Sequence, residues 1–402
     1  MLLLAVLGAM SNPSRAGDDA VGEGGDDIFV PYVRAAYGYD SNLFRLQNDD
    51  EAYAVLGRRD KSESYYTLVA GMDATLRISR QTLLAHAEYN RTWFNRYGAL
   101  DHDGRDAYLK WDWLLGSLVK GDVGVAETLA QASYANVREP VLNLIRTRRY
   151  FAHGAVGLDD PWLLKFGAER IDRNYDASRL DEQDATVDVV NAGIQLRSRK
   201  GSTLEWITQR QDGSYPNRQV VGMRPVVNDY RQWDNGIAVV WMATGNTTFS
   251  GRLNYTERSH DEVPQRDFSG LTGFLGADWR VTGKTTLRAS VHREIGAIEN
   301  DTASYTVNDG VILDADWRPT SRLAFNARFR HDEISYSGDP GFALSWSPTR
   351  EDQLTTMQVG TEYSVTPNVV LGAVLKRGVR DSNEDFAAYT YNSALLTVRS
   401  DF

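Results

Sequence analysis

Tyr389-Thr390-Tyr391-Asn392-Ser393-Ala394-Leu395-Leu396-Thr397-Val398-Arg399-Ser400-Asp401-Phe402 ends the chain and decides its fold. Read alternately, one face carries Thr390, Asn392, Ala394, Leu396, Val398, Ser400 and Phe402. The other carries Tyr389, Tyr391, Ser393, Leu395, Thr397, Arg399 and Asp401. Successive side chains of a strand point to opposite faces, so this segment has one face for an apolar medium and one for water. A terminal aromatic on such a strand suits a sheet closed within a lipid bilayer, where every backbone group must find its partner inside the protein.

The same period of two runs back along the chain. Leu68, Ala70, Met72, Ala74 and Leu76 alternate with Gly71, Asp73, Thr75 and Arg77. Leu83, Ala85, Ala87 and Tyr89 alternate with His86, Glu88 and Asn90, and Val190, Ala192, Ile194 and Leu196 with Asn191, Gly193, Gln195 and Arg197. Leu323, Phe325, Ala327 and Phe329 alternate with Asn326, Arg328 and Arg330. Val369, Leu371, Ala373 and Leu375 alternate with Gly372 and Lys376.

Short turns punctuate these runs, several announced by an aromatic residue: Trp113–Ser117, Trp241–Asn246, Trp279–Lys284, Trp317–Ser321 and Tyr363–Asn368, with simpler ones at Ser79–Thr82, Leu158–Trp162 and Ser198–Ser202. Gly, Pro, Thr and Asn supply their geometry. Longer polar segments lie between them: Ser41–Ser64, Tyr97–Gly104, Ser133–Leu144, Tyr175–Gln183, Tyr215–Asp229, His260–Arg266, Glu299–Ala303, Gly338–Arg350 and Asp381–Ala387. Eight short turns and nine long loops join eighteen strands; sixteen is the next count consistent with the pattern. The reading is an all-β transmembrane antiparallel barrel with short periplasmic turns and long extracellular loops. A soluble solenoid, propeller or sandwich does not require the second face to be polar so consistently.

Composition agrees once the alternation is known. A mean hydropathy of −0.44 with 24% charged residues looks soluble, but only every second residue of a barrel strand faces lipid. The one long apolar run, Leu2–Met10, is too short to span as a helix. Residues 1–16 read as a signal-peptide remnant, with Ser14-Arg15-Ala16 before a cleavage point at Gly17 and no basic n-region. Residues 17–27 read as an acidic, Gly-rich periplasmic lead-in, and residues 28–402 as the barrel. The 10 Trp, 20 Tyr and 13 Phe suffice for two interfacial girdles. The absence of cysteine excludes disulfides and thiolate chemistry. A net charge of −10 argues against nucleic acid as a partner.

No nucleophile elbow, zinc-protease or phosphate-loop motif occurs. His86, His102, His153, His260, His292 and His331 lack metal-ligand spacing, so neither a metal nor a cofactor is expected, and the chain reads as a non-enzyme. Ser290 and His292 share a strand face, a coincidence that any polar lumen of this size offers.

The lumen is the informative surface. Alternation turns Arg77, Lys110, Arg197, Arg252, Arg288, Arg328, Arg330, Lys376 and Arg399 inward as candidate pore-lining cations, with Arg34, Lys120, Lys165 and Arg173. It also turns inward Asp73, Glu88, Asp112, Asp122, Glu169, Glu205, Asp278, Asp314, Asp316 and Glu362. These charges either pair across strands and solvate the wall, or contact a hydrated solute. Phe151, Phe274, Tyr389 and Tyr391 are candidates to stack on sugar rings or to join a girdle.

The opening strand and loop read Pro31-Tyr32-Val33-Arg34-Ala35-Ala36-Tyr37-Gly38-Tyr39-Asp40-Ser41-Asn42-Leu43-Phe44-Arg45. With Arg210–Arg218, Gln265–Gly273, Arg293–Gly296 and Thr302–Tyr305, this resembles the EpsL family of outer-membrane proteins found with exopolysaccharide operons of the exosortase/PEP-CTERM type. The resemblance implies a role in exopolysaccharide biosynthesis or export across the outer membrane. The first expectation drawn from it is a passive exit pore for polysaccharide, with outer-membrane lipid around it and, by the logic of such a system, periplasmic export components as partners. Asp40, Tyr215 and Arg266, within or beside the matching stretches, become candidates for the pore mouth. A diffusion porin for sugars or acids, and a structural or adhesive barrel plugged by its own loops, remain the alternatives. Ser41–Ser64 is long enough to fold inward.

Overall fold

The computed structural model describes residues 28–135, 138–157, 161–221, 224–262, 264–296, 305–337 and 349–402. The leader and lead-in segments, Glu299–Ala303 and the greater part of Gly338–Arg350 lie outside the described residues, as do residues 158–160 of one short turn.

Twenty strands are described: β1 (Phe29–Asp40), β2 (Glu63–Ile78), β3 (Gln81–Phe94), β4 (His102–Leu115), β5 (Val119–Gln131), β6 (Leu144–Gly157), β7 (Trp162–Tyr175), β8 (Ala185–Arg197), β9 (Thr203–Ser214), β10 (Gln219–Val221), β11 (Arg224–Val226), β12 (Tyr230–Met242), β13 (Thr247–His260), β14 (Phe268–Thr282), β15 (Thr285–Gly296), β16 (Tyr305–Trp317), β17 (Leu323–Ser337), β18 (Glu351–Thr366), β19 (Val369–Ser382) and β20 (Tyr389–Asp401). Eighteen of them form one antiparallel sheet, while β10 and β11 make a small separate hairpin in the loop between β9 and β12. Each barrel strand pairs with its neighbours in sequence, and β1 pairs with β20 from Tyr32↔Asp401 to Asp40↔Ser393, which closes the cylinder. The closure extends one residue further, since the Phe402 amide donates to the Pro31 carbonyl at 2.9 Å. A closed ladder leaves no strand edge to face lipid.

The ladders assign the faces. In β1, β2 and β3 the pairs Arg34↔Val69, Tyr32↔Gly71 and Asp73↔His86 share the inner side, so Val33, Leu68, Met72 and Tyr89 point out, each more than a third exposed. Near the short turns the outer face carries Trp111, Trp162, Trp206, Trp241, Trp279, Trp317, Tyr363 and Phe402, all exposed. A second aromatic level nearer the long loops includes Tyr66, Tyr89, Trp93, Tyr150 and Trp233. Amphipathic rings favour the two membrane–water boundaries, and the two girdles bracket the lipid-facing band.

Glycines on the inner wall admit large rings from the next strand. Gly71, Gly38, Gly213 and Gly378 lie directly across from Tyr32, Tyr65, Tyr230 and Tyr391, and a Cβ at any of the four would enter the tyrosine ring. Gly124 accepts Phe151 in the same way.

Loop 1, residues 41–62, contains a helix that the alternation does not announce, α1 (Asp49–Leu56). Asn48 caps it by accepting from the amides of Asp50 and Glu51, acidic residues fill its first turn, and Gly57 ends it at φ 68°.

Candidate functional site

The inner wall is a lattice of ion pairs. Arg34 reaches both carboxylate oxygens of Glu88 at 3.1 Å, and the Tyr32 hydroxyl donates to the same group at 2.7 Å. Lys110 meets Asp112 at 2.8 Å, Lys165 meets Glu205 at 2.7 Å, and Arg288 lies between Asp278 at 3.1 Å and Asp316 at 2.5 Å. Arg328 contacts Asp314 at 2.5 Å, and Arg330 grips Asp332 through Nε at 2.5 Å and Nη2 at 2.9 Å. Arg399 donates to Asp401 at 2.7 Å, approaches Asp73 at 3.6 Å and lies over the Tyr32 ring at 3.9 Å. Arg252 donates to Asn254 at 3.0 Å.

All nine sequence-predicted lining cations occupy inward register positions, but they do not converge on one point. Arg77 and Arg197 sit beside short turns, exposed and in no ion pair among the described residues. Lys376 likewise has no described ion pair; its ammonium lies 5.9 Å from the centre of the Tyr391 ring. A hollow of about 600 Å³ opens in the wall toward the short-turn end, lined in part by Asp112, Lys120, Asp122, His153, Lys165 and Glu205. His153 bridges Asp122 at 3.1 Å and Glu169 at 3.2 Å there, and His86 contacts Asp73 at 2.7 Å on the adjoining wall. His292 Nε2 is 3.1 Å from Asp332 without hydrogen-bond alignment, and that carboxylate is held by Arg330.

The aromatic candidates separate. Tyr389 and Tyr391 are only 6% and 7% exposed, and Phe151 lies over Gly124 with Arg149 4.8 Å above its ring. These three are wall packing. Phe274 is different: inward by its pairing with Arg252 and 43% exposed. Tyr108, inward opposite His86 and 41% exposed, joins it. Its ring stacks on His86 at 5.5 Å. The inner-face position of Tyr108, two residues before Lys110, was available from alternation.

The mouth is built by loops. Asp40 accepts the Asn42 amide at 2.8 Å and both Nη groups of Arg45 at 2.9 Å. The Arg45 guanidinium lies 3.6 Å above the Tyr391 ring. Asn42 donates to the carbonyls of Leu46 at 2.7 Å and Thr390 at 3.0 Å, pinning loop 1 to β20. Behind this anchor Phe44, Leu46, Ala52, Leu100 and Tyr134 form a buried apolar cluster drawn from three loops. Phe44 meets Tyr97 and Tyr134 edge-on at 4.9 and 4.8 Å. Arg138, from the loop between β5 and β6, bonds Glu51 of α1 at 2.9 Å. At the other end of loop 1, Asp60 is held down to about 2, chiefly by hydrogen bonds from the Ser62 hydroxyl and amide, then by Arg96.

Tyr215 and Arg266 belong to a second cluster, away from Asp40. Burial pushes the Tyr215 phenol up to about 12 and lowers the Arg266 guanidinium. Arg266 is 2% exposed and donates to Asn228. Both residues brace loops at the mouth.

Residues 251–402 match a family described as "Putative beta-barrel porin 2". No curated protein matches the chain. Among solved structures, the chain is similar to OccK2 (OpdF) of Pseudomonas aeruginosa, with 11% identity, coverage of 93% of this chain and 98% of that one, and a TM-score of 0.50. Other similar structures are OpdO of the same organism (13% identity, 93% and 96% coverage, TM-score 0.48) and its siderophore receptor PirA (8%, 94% and 80%, 0.45). At 11% identity the likeness to OccK2 is one of fold. The protein is a porin-like β-barrel of the Gram-negative outer membrane.

Proposed function

We propose that this outer-membrane barrel is a passive pore for carbohydrate chains, in keeping with exopolysaccharide export. The observation that carries the reading is the pair of lumen-exposed rings, Tyr108 at 41% and Phe274 at 43%, set in a wall whose charges are mostly paired. Paired charges hydrate the wall without holding an ion of either sign, and aromatic faces offer sugar rings an apolar platform. The pore needs no covalent step; polymer synthesis or inner-membrane machinery drives movement. Periplasmic export components are the partners this reading requires.

Deleting the gene and comparing secreted with cell-retained polysaccharide tests the direction of traffic. Loss of secreted polymer with periplasmic accumulation supports export. Normal secretion with impaired growth on a sugar supports an uptake porin. In planar bilayers, oligosaccharides should block the open channel, and Tyr108→Ala with Phe274→Ala should shorten the blocks; blocks of unchanged length would exclude the two rings as contacts.

The loop-1 cluster favours a second reading, a barrel that stays closed as a structural or adhesive element. A purified protein that conducts no ions, with or without loop 1, would support it.

A further inference from the structure

The outer face near the long loops is not uniform around the barrel. From β4 to β12 the outward positions there carry Arg105, Arg146, Arg148, Arg170, Arg210 and Arg231, interspersed with Asp103, Glu127, Asp172, Asp188 and Asp212, and Arg170 is held by Asp172 at 3.3 Å and Asp188 at 3.8 Å. From β13 to β18 the corresponding positions hold Glu257, Asp309, Glu333 and Glu351, with Arg293 paired to Asp309 at 2.7 Å.

On this mixed wall the excess positive charge is local: one carboxylate is shared by two guanidiniums, twice. Glu127 takes Arg105 Nε at 2.6 Å and also Arg148. Asp212 takes Arg210 Nε at 2.8 Å and Arg231 Nε at 3.3 Å. Each triad carries a net charge of +1. Arg148 and Arg231 hydrogen-bond these carboxylates through Nε, and Arg105 makes its ion pair through Nε. These arginine side chains are 39–53% exposed. Exposed pairs of this kind contribute little to stability.

Their height in the wall identifies what they face. From the girdle residue Trp241 to Arg231 is ten residues on one strand. At about 3.3 Å per residue and a tilt near 40°, that rise is roughly 25 Å, the height of the lipid-facing band. The triads therefore stand at the outer-leaflet headgroup level. Tyr150 and Trp233, 44% and 40% exposed, lie two residues below Arg148 and Arg231 on the same face. Paired guanidiniums match the geometry of a phosphate oxyanion, and the rings beneath suit the first carbons of acyl chains.

We propose that this wall docks the phosphate groups of an outer-leaflet phosphoglycolipid of the lipid A type, one triad gripping a phosphate above a girdle aromatic. The surface faces the membrane and not the lumen, so the lipid, rather than a soluble phosphate, is the occupant that charge and position select. The purified full chain in detergent is titrated with bisphosphorylated lipid A, the same lipid without phosphates, and inorganic phosphate, and bound lipid is read by native mass spectrometry. Wild type should retain the bisphosphorylated lipid and release the phosphate-free one, with inorganic phosphate a weak competitor. Arg148→Gln with Arg231→Gln should weaken retention about tenfold or more, while Arg377→Gln on β19 should not change it. Arg148→Lys, which keeps the charge and loses the fork, is the milder variant should the double one fail to show the heat-dependent gel shift of a folded barrel; it should fall between wild type and Arg148→Gln. Equal retention of phosphate-free lipid, unaltered binding in the folded arginine variants, or a change in oligomeric state in place of lipid binding would overturn the proposal, the last by assigning the wall to a second copy of the chain.

Discussion

Replacing Phe44 by alanine should open the mouth without unfolding the barrel. Phe44 is fully buried, and its ring contacts come from Tyr97 and Tyr134, in two other loops. Removing a buried phenylalanine costs about 3–5 kcal/mol. The helix it stabilises has eight residues, too few to persist in water without packing. A loss of that size shifts the closed-to-open ratio of loop 1 by roughly a hundredfold or more. The strand ladders contribute nothing to this cluster beyond Phe94 at the end of β3, so the heat-dependent gel shift of the folded barrel should be retained. Single-channel recording in planar bilayers should show a higher conductance or a larger open fraction than wild type, and limited proteolysis should cut within residues 49–60. The control is Tyr53→Ala on the same helix, at a side chain 64% exposed, which should change neither. A folded Phe44→Ala protein with wild-type conductance and wild-type protease resistance would refute the idea that this cluster holds the loop over the pore.

Gly378→Ala would drive the Tyr391 ring from its seat beneath Arg45; overpacking of this kind costs about 1–3 kcal/mol, and the channel should flicker more, as counted in open-time histograms. Arg328→Gln removes the partner of Asp314 and leaves a lumen carboxylate uncompensated, so reversal potentials should move toward cation selectivity; an unaltered reversal potential would place that pair off the ion path. The depressed Asp60 group stabilises the end of loop 1 fully above the ordinary carboxylate range near 4 and loses that contribution as pH falls through about 2. Gating should therefore be insensitive to pH between 7 and 5 on this account and loosen toward pH 2, with Asp60→Asn removing the acid-dependent part.

Much of the barrel was legible because its code is short-range. A period of two assigns each residue to lipid or lumen without knowledge of its neighbours, which is why Arg77, Arg288 and Lys376 could be turned inward from their own strands alone. Turn residues and preceding aromatics marked the short-turn rim, so eighteen strands could be counted from punctuation. The helix in loop 1 was not read, since eight residues among polar loop sequence give too little periodicity to stand apart.

What alternation cannot supply is the partner. That Arg328 meets Asp314, that Tyr391 lies over Gly378, and that Asp40 serves Arg45 depend on strand register and on how loops fold back. Phe44, Leu100 and Tyr134 come from three separate loops, and nothing local in any of them announces a common core. The sequence by itself determined which residues face lipid, which face the lumen and where the chain turns, because these follow from strand geometry and the bilayer. Only the tertiary structure decided which charges neutralise one another, which rings stay open to a solute and which loops pack together at the mouth, because those depend on closure of β1 against β20 and on contacts between segments distant in the chain.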